Sequence, residues 1–416
     1  MLDKGCKLRV VACNTATTNA IDYLRNNYNL PFIGIYNSLH HAGFALDSKG
    51  SAHIAFIVFD QNSNRDKLYY LTNATQSWSS ELIGEAAVQN SGLSLYAGGK
   101  VNVLVDALDN VHVVSPDAIP QQDIGSYQYV VNYTTNKTGI WQTDSIPALD
   151  GHSWETAAAV DSSGAIHIAA AKGDDLYYNN NTSNIWASEQ LTPNTLSDKV
   201  IKDSLSMNLD TQENIHIAYG YCSQNCQAAA DYDLLYTNNL NGAWQTEAVK
   251  TQLSIFTSSI EVDENNIVNI VYADNNYSDS DFYGRTIERE SVFYATNDAN
   301  IWAIEPINST EISKQEYSSH YSVGTTPSLA EDSNGNIHMV YSGDTAGAGD
   351  LIYTTKVNNI WEQESLMTGS MFDAASLSTD SNNATNKIYK DINGDIRHTH
   401  RRLDTCLPDK MRSVSV

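Results

Sequence analysis

Residue types able to do chemistry are densest between 273 and 291, in ADNNYSDSDFYGRTIERES. Arg285, Glu288, Arg289 and Glu290 stand there beside Asp274, Asp279, Asp281 and Tyr283. A carboxylate with Tyr and Arg nearby can do acid–base or nucleophilic work on an acidic sugar, which makes Arg285, Glu288 and Arg289 the candidate catalytic residues. The acidic run can instead hold Ca²⁺ through oxygen ligands, although it has no EF-hand pattern. A solvated loop with local ion pairs is the third possibility. Tyr221 lies in a second irregular stretch, GYCSQNCQAAADYD (220–233), and Tyr317 and His320 lie in a third, 306–325. With Asp274, Asp279, Asp281 and Tyr283 they form the candidate ligand-binding set.

A different chemistry is offered by Cys13. It follows the strand-like run KLRVVA (7–12) and precedes a helix-like stretch, 15–27, opened by Asn14 or Thr15. Peptide dipoles at a helix N-terminus favour the thiolate, so a reactive thiol is one reading. A buried structural cysteine is the other. With LPFIGI at 30–35 as a second strand, the segment reads as a short βαβ-like unit.

The remaining candidates recur, and their recurrence reveals the scaffold. Asp is followed six residues later by His or Asn seven times: Asp47/His53, Asp106/His112, Asp161/His167, Asp210/His216, Asp263/Asn269, Asp332/His338 and Asp380/Asn386. Tyr stands eight residues before Trp at Tyr70/Trp78, Tyr133/Trp141, Tyr178/Trp186, Tyr236/Trp244, Tyr294/Trp302 and Tyr353/Trp361. An acidic residue follows three past each Trp: Glu81, Asp144, Glu189, Glu247, Glu305 and Glu364. Fixed spacings over so many copies mark a repeat protein. In the last copy the same spacings put His398 at the Tyr position, Cys406 at the Trp position and Asp409 at the acidic one, leaving DKMRSVSV without a recognisable strand.

Each copy supplies four strands, a to d. An apolar run precedes the Asp, a tight Asp/Asn/Gly turn follows, a second apolar run begins at the His, and the Tyr and Trp strands come after. Seven such units predict an all-β, seven-bladed β-propeller of four-stranded blades, preceded by the βαβ-like segment. The expected division is 1–35, then blades at about 41–82, 100–146, 155–191, 202–249, 258–307, 326–366 and 375–410, then a tail at 411–416. Because every repeat is in phase, exchange of a strand between the first and last blades would require residues 30–40 to join the last blade.

Spacings within the a–b and c–d turns are constant, whereas the b–c and d–a connections vary. Variable connections are where ligand contacts are acquired, so the b–c/d–a face is the expected binding face. Histidines spaced one per blade do not converge as metal ligands must, and bonding to the turn Asp or a neighbouring blade is the simpler account. The repeated Tyr and Trp serve either blade packing or stacking against sugars.

Bulk properties narrow the partners. The net charge of −25 argues against nucleic acid and suits solubility, cation binding or neutral ligands such as glycans. No apolar run approaches the ~20 residues that span a bilayer. Five cysteines are too few and scattered for a disulfide framework, although Cys222 and Cys226 could close a local loop in an oxidising compartment. The Asn-, Ser-, Thr- and Tyr-rich composition suits a secreted or cell-surface monomer, while no hydrophobic signal sequence precedes the repeats. A chain translated as given would be cytoplasmic.

Two resemblances add to these readings. VVACNTATTNAIDYLR followed by LPFIGI, within residues 1–35, closely resembles glutamate racemases around the first of their two catalytic cysteines. That resemblance implies Cys13 as a thiol acid/base and Asn14 and Thr15 as substrate contacts. The family's Asp-Ser-Gly segment and its Gly-Cys-Thr-His motif, with the second cysteine, are not found here. Proton exchange across two faces of a carbon needs two opposed groups, so a racemase fragment without that activity is expected. Residues 41–410 resemble sialidase-like (BNR-type) propellers and propeller lectins. This implies carbohydrate binding, or a glycoside hydrolase or polysaccharide lyase with its site on blades 4–6. Sialidase Asp boxes read Ser-x-Asp-x-Gly-x-x-Trp, whereas Asp-x-x-Gly is followed here by His. Sialidases also use three arginines, and this propeller has only Arg65, Arg285, Arg289, Arg397, Arg401 and Arg402. Binding of a glycan or another extracellular ligand, without catalysis, is therefore the leading expectation.

Overall fold

The structure is a computed structural model that describes residues 9–11, 32–34, 42–58, 66–86, 100–120, 127–146, 149, 153–172, 175–192, 199–200, 204–222, 232–253, 255–280, 286–298, 301–313, 327–344, 349–367, 375–390, 396–402 and 413–415. The chain forms two compact units, Met1–Asp150 with Ser376–Val416, and Gly151–Ala375. Every repeat folds as an antiparallel sheet with its strands in chain order, and the fold is the seven-bladed β-propeller that the repeats predict.

The first unit holds three blades. Blade 1 comprises Ala42–Leu46, Ala52–Val58, Asp66–Thr72 and Ser79–Ala86, and blade 2 comprises Asn102–Val105, Val111–Pro120, Tyr127–Thr135 and Gln142–Ser145. Blade 7 comprises Ala375–Thr379, Ala384–Lys390, Ile396–Arg402 and Ser413–Ser415. Ser413–Ser415 pairs with its third strand, His398 standing opposite Val414, and the expected 406–409 stretch lies outside the described residues. Arg9–Val11 and Phe32–Gly34 pair in parallel, as a βαβ-like unit requires, while the helix expected between them lies outside the described residues. The pair is a sheet of its own and lends no strand to blade 7.

The second unit holds blades 3 to 6. Their strands are Ser153–Val160, Ile166–Lys172, Asp175–Asn180 and Ala187–Gln190; Ser206–Leu209, Ile215–Cys222, Tyr232–Asn238 and Gln245–Leu253; Ile255–Val262, Val268–Ser280, Thr286–Thr296 and Ala303–Ser313; and Ser328–Glu331, Ile337–Asp344, Gly349–Val357 and Ile360–Met367. Lys199–Val200 adds a fifth, short strand to blade 4.

Burial explains why the strands read as they do. Strand b of blades 1 and 3 is buried at every position but the last, so it is an unbroken apolar run without alternation. Strand d of blades 2 and 3 is almost wholly exposed and correspondingly polar. The innermost strands approach closely through small residues: Ser258 Oγ donates to the Ser204 carbonyl, and a Cβ on Gly43 would meet the Val101 carbonyl oxygen at 2.4 Å.

The repeated Asp builds the a–b turn. Its Oδ1 accepts the amides two and four residues on, as at Asp106, which takes Leu108 N at 2.9 Å and Asn110 N at 2.8 Å. The residue three past each Asp has positive φ in all seven copies: Gly50, Asp109, Gly164, Glu213, Asn266, Gly335 and Asn383. That is the left-handed residue of a three-residue hairpin loop, so Gly, Asn and Asp dominate it. Among the described residues no helix is long and apolar enough to cross a membrane.

Candidate functional site

The repeated histidines are buried links inside blades 1 to 4 and 6. His112 Nδ1 lies 2.7 Å from the Tyr133 hydroxyl and its Nε2 lies 3.3 Å from Asp106 Oδ2. His167 repeats this with Tyr178 at 2.6 Å and Asp161 at 3.2 Å. His53, His216 and His338 hold Tyr70, Tyr236 and Tyr353 at 2.5, 2.6 and 2.7 Å, and approach Asp47, Asp210 and Asp332 at 3.5, 3.3 and 3.4 Å. A neutral imidazole fits: the tyrosine O–H donates to Nδ1, and Nε2–H points at the carboxylate. Burial, only partly offset by the Asp, holds His53, His112 and His216 below the ordinary histidine range. Burial pushes the Tyr70 and Tyr178 hydroxyls up to about 12. In blade 5, Asn269 takes the histidine's place and accepts from Tyr294 at 2.6 Å. Among the described residues, no group of three His, Cys, Asp or Glu is placed to hold a metal ion.

The Tyr, Trp and acidic repeats meet between blades. Trp141 packs on Tyr70 of the preceding blade at 4.9 Å, Trp244 on Tyr178 at 5.0 Å, Trp302 on Tyr236 at 5.4 Å and Trp361 on Tyr294 at 5.3 Å. Each indole N–H donates to the preceding blade's acidic residue: Glu81 at 2.7 Å, Glu189 at 2.9 Å, Glu247 at 2.8 Å and Glu305 at 3.1 Å. These aromatics pack blades. The sequence pattern also contained an unused signal, an Asn three past the Tyr in five copies. Asn73, Asn136, Asn181, Asn239 and Asn297 accept the amides of Ala52, Val111, Ile166, Ile215 and Val268, tying the c–d turn to strand b.

On the b–c side the structure departs from the expected loop of blade 5. Strands b and c continue as a ribbon to the Ser280/Thr286 pair, and strand d follows them to Ser313. Tyr, Ile and Thr within the insertion favour extended backbone, which loop-like Asn, Asp and Ser had masked in the sequence. Arg289 stands opposite Tyr277 on one side and Glu311 on the other, forming a Tyr–Arg–Glu rung. Glu288 stands opposite Ser278 and Ile312, and Asp279 opposite Ile287. Asp274, at the ribbon's base, is buried opposite Ser291, and it adds to the burial that raises the Tyr272 hydroxyl. The ribbon therefore brings Asp274, Asp279, Glu288 and Arg289 onto one element. Tyr277 and Glu311 are the members that spacing could not find, because strand register is set only on folding.

Tyr221 sits on the same side of blade 4, opposite Asp233 and Val200, with its ring 6.4 Å from Tyr219 in an edge-on arrangement. Cys222 beside it is disulfide-bonded and fully buried. Cys13, Cys226, Asp281, Tyr283, Arg285, Tyr317 and His320 lie outside the described residues.

A second acidic group was not foreseen. Asn208 Nδ2 donates to Glu261 Oε2 at 2.8 Å, at the a–b turn end of the innermost strands. Burial and then Glu331 push Glu261 up to about 8, and burial followed by Asp263 pushes Glu331 up to about 7. This pair lies at the opposite end of its strands from the ribbon.

Comparisons with known proteins bear on the two regions separately. No protein-family model matches the chain. The N-terminal segment is 63% identical over 35 residues to the glutamate racemase of Lachnospira eligens, and 54% identical over 47 residues to that of Fusobacterium nucleatum. These matches cover 8% and 11% of this chain and only 13% and 16% of those enzymes. By structure, the chain is similar to a polysaccharide lyase of family PL25, an ulvan lyase, with a TM-score of 0.60 and 12% identity over 89% of this chain and 96% of that one. The polysaccharide lyase Uly1 gives a TM-score of 0.56 with 10% identity, covering 96% and 97%. A microbial sialidase is alike at 0.45, over 88% of this chain and 66% of its own. At these identities the likeness is one of fold: the chain shares the propeller of the polysaccharide lyases.

Proposed function

We propose that the propeller binds a polysaccharide on its b–c/d–a face, with the blade 5 ribbon as the centre of the site and Tyr221 of blade 4 at its flank. The observation carrying this reading is the Tyr277–Arg289–Glu311 rung on the extended b–c connection of blade 5. An arginine offers the planar fork that pairs with a sugar carboxylate or sulfate, and a tyrosine offers a face for a sugar's apolar side. The chain's strong negative charge elsewhere keeps such a ligand from binding indiscriminately. The disulfide at Cys222 supports an oxidising compartment, hence secretion or display at the cell surface, as a monomer.

A second reading is cleavage. The propellers of TM-score 0.60 and 0.59 are an ulvan lyase and its complex with -[GlcA(1-4)Rha3S]-, a chain containing a uronic acid. A tyrosine beside an arginine is chemistry suited to abstracting a proton next to a carboxylate held by the guanidinium. The test is a glycan array probed with the full chain, with and without Ca²⁺, followed by ultraviolet detection of unsaturated product on any ligand found. Binding lost in R289A without product supports the first reading, and product lost in R289A the second. No glycan bound under either condition overturns both. Neither reading involves Cys13, and full-chain protein should not exchange the α-proton of glutamate in deuterated water.

A further inference from the structure

The joint between blades 7 and 1 is built differently from the other joints within each unit. At blades 1/2, 3/4, 4/5 and 5/6 a Trp packs on the preceding blade's Tyr and donates to its Glu. At blades 7/1 the Trp is Trp78, and the ring it meets is His398, 5.9 Å away and nearly perpendicular at 80°. Phe44 approaches the same imidazole at 6.3 Å. Opposite His398, where the other blades carry the acceptor carboxylate, stands Val414. Ile388 of blade 7 packs into the blade 1 cluster of Ile54, Phe56 and Leu71, with Phe44 and Trp78 against it. Among the described residues no strand passes between the two blades, and packing around His398 joins them.

We propose that this joint is acid-sensitive, with protonation of His398 loosening blade 7 from blade 1. The neutral ring is satisfied as it stands, since Nε2–H donates to Asn386 Oδ1 at 2.9 Å. A second proton puts a full charge on a half-buried ring held against Phe44 and Trp78, where its hydration is reduced. Among the described residues, the titratable groups around it supply no partner for that charge. His400, two residues along the same strand, is a like charge when protonated and lies 3.5 Å from Asp380, which it occupies. Blade 1 faces the ring with Phe44 and Trp78. Burial first, and then His400, lowers the His398 pKa to about 4. The direction follows. A histidine whose folded pKa lies below its ordinary value contributes stability that is complete above about pH 6.5 and lost as pH falls towards about 4.

The experiment is hydrogen exchange of the full chain, read by mass spectrometry at about pH 7 and about pH 5 after correction for intrinsic rates, on wild type, H398Y and H400Q. H398Y restores the residue found at this position in six blades, and H398F guards against a hydroxyl that does not fit. In wild type and H400Q, opening of Ala384–Lys390 should rise on the order of tenfold between the two conditions, with Val268–Ser280 of blade 5, where Asn269 replaces the histidine, unchanged. In H398Y or H398F that rise should vanish. Equal acid opening in wild type and both His398 variants would overturn the proposal. So would greater protection of the wild-type joint in acid, the result expected if attraction of the imidazolium to Trp78 outweighed its burial.

Discussion

Trp302 donates its indole N–H to Glu247 across 2.8 Å while its ring packs edge-on against Tyr236 at 5.4 Å. One residue of blade 5 thereby uses two residues of blade 4, and the three repeated spacings of the sequence are three parts of one inter-blade contact. A hydrogen bond to a charged, solvent-facing acceptor is worth about 1 kcal/mol, and an aromatic pair adds about 0.5–1.5 kcal/mol. The double-mutant cycle of W302F and E247Q should therefore give a coupling of about 1 kcal/mol by denaturant unfolding. Additive single mutants would show that the bond contributes nothing to blade cohesion.

Gly43 makes the sharpest steric prediction. An added Cβ would sit 2.4 Å from the Val101 carbonyl oxygen and 2.9 Å from the Val103 amide nitrogen, both backbone atoms that cannot swing away. Gly43→Ala should cost about 2–4 kcal/mol, or prevent folding of the first unit. Gly84→Ala, whose new methyl would meet nothing closer than 3.9 Å, should cost little. Equal melting temperatures for the two variants would contradict the close approach of the innermost strands.

The Glu261–Glu331 pair predicts a pH dependence of opposite sense to that of His398. Glu261 is raised from the ordinary carboxylate range to about 8, by burial and then by Glu331. The folded state thus holds protons that the unfolded chain has released. Stability from this site is complete below about pH 4.5 and is lost as pH rises through about 8. Glu261→Gln keeps the oxygen that accepts from Asn208 and removes the titration. Between about pH 5 and about pH 9, wild type should lose several degrees of melting temperature relative to E261Q. Parallel curves would show that the carboxyl is ionised throughout.

Much of the fold was legible because blade-forming residues recur at fixed distances along the chain. Asp47, His53 and Tyr70 belong to one blade, and their contacts could be anticipated from spacing within a repeat. Trp141 and Glu81 belong to different blades, and nothing in a one-dimensional repeat says that the indole reaches backwards. The candidate site was legible only as composition. Asp274, Asp279, Glu288 and Arg289 were found as a cluster, but Tyr277 and Glu311 join Arg289 through strand register, which the Asn- and Ser-rich insertion disguised as loop. The outer strand of blade 7 was missed because Ser413–Ser415 carries neither the Trp nor the acidic marker of the others.

The central claim is that ligand recognition resides in residues the blades do not share. The most direct measurement is calorimetric titration of the array-selected glycan into wild type, R289A and W302F, the last an inter-blade residue on the same blade. The account predicts that R289A loses at least tenfold in affinity, about 1.4 kcal/mol, while W302F binds as wild type does. Undiminished binding by R289A, with loss in W302F, would contradict it.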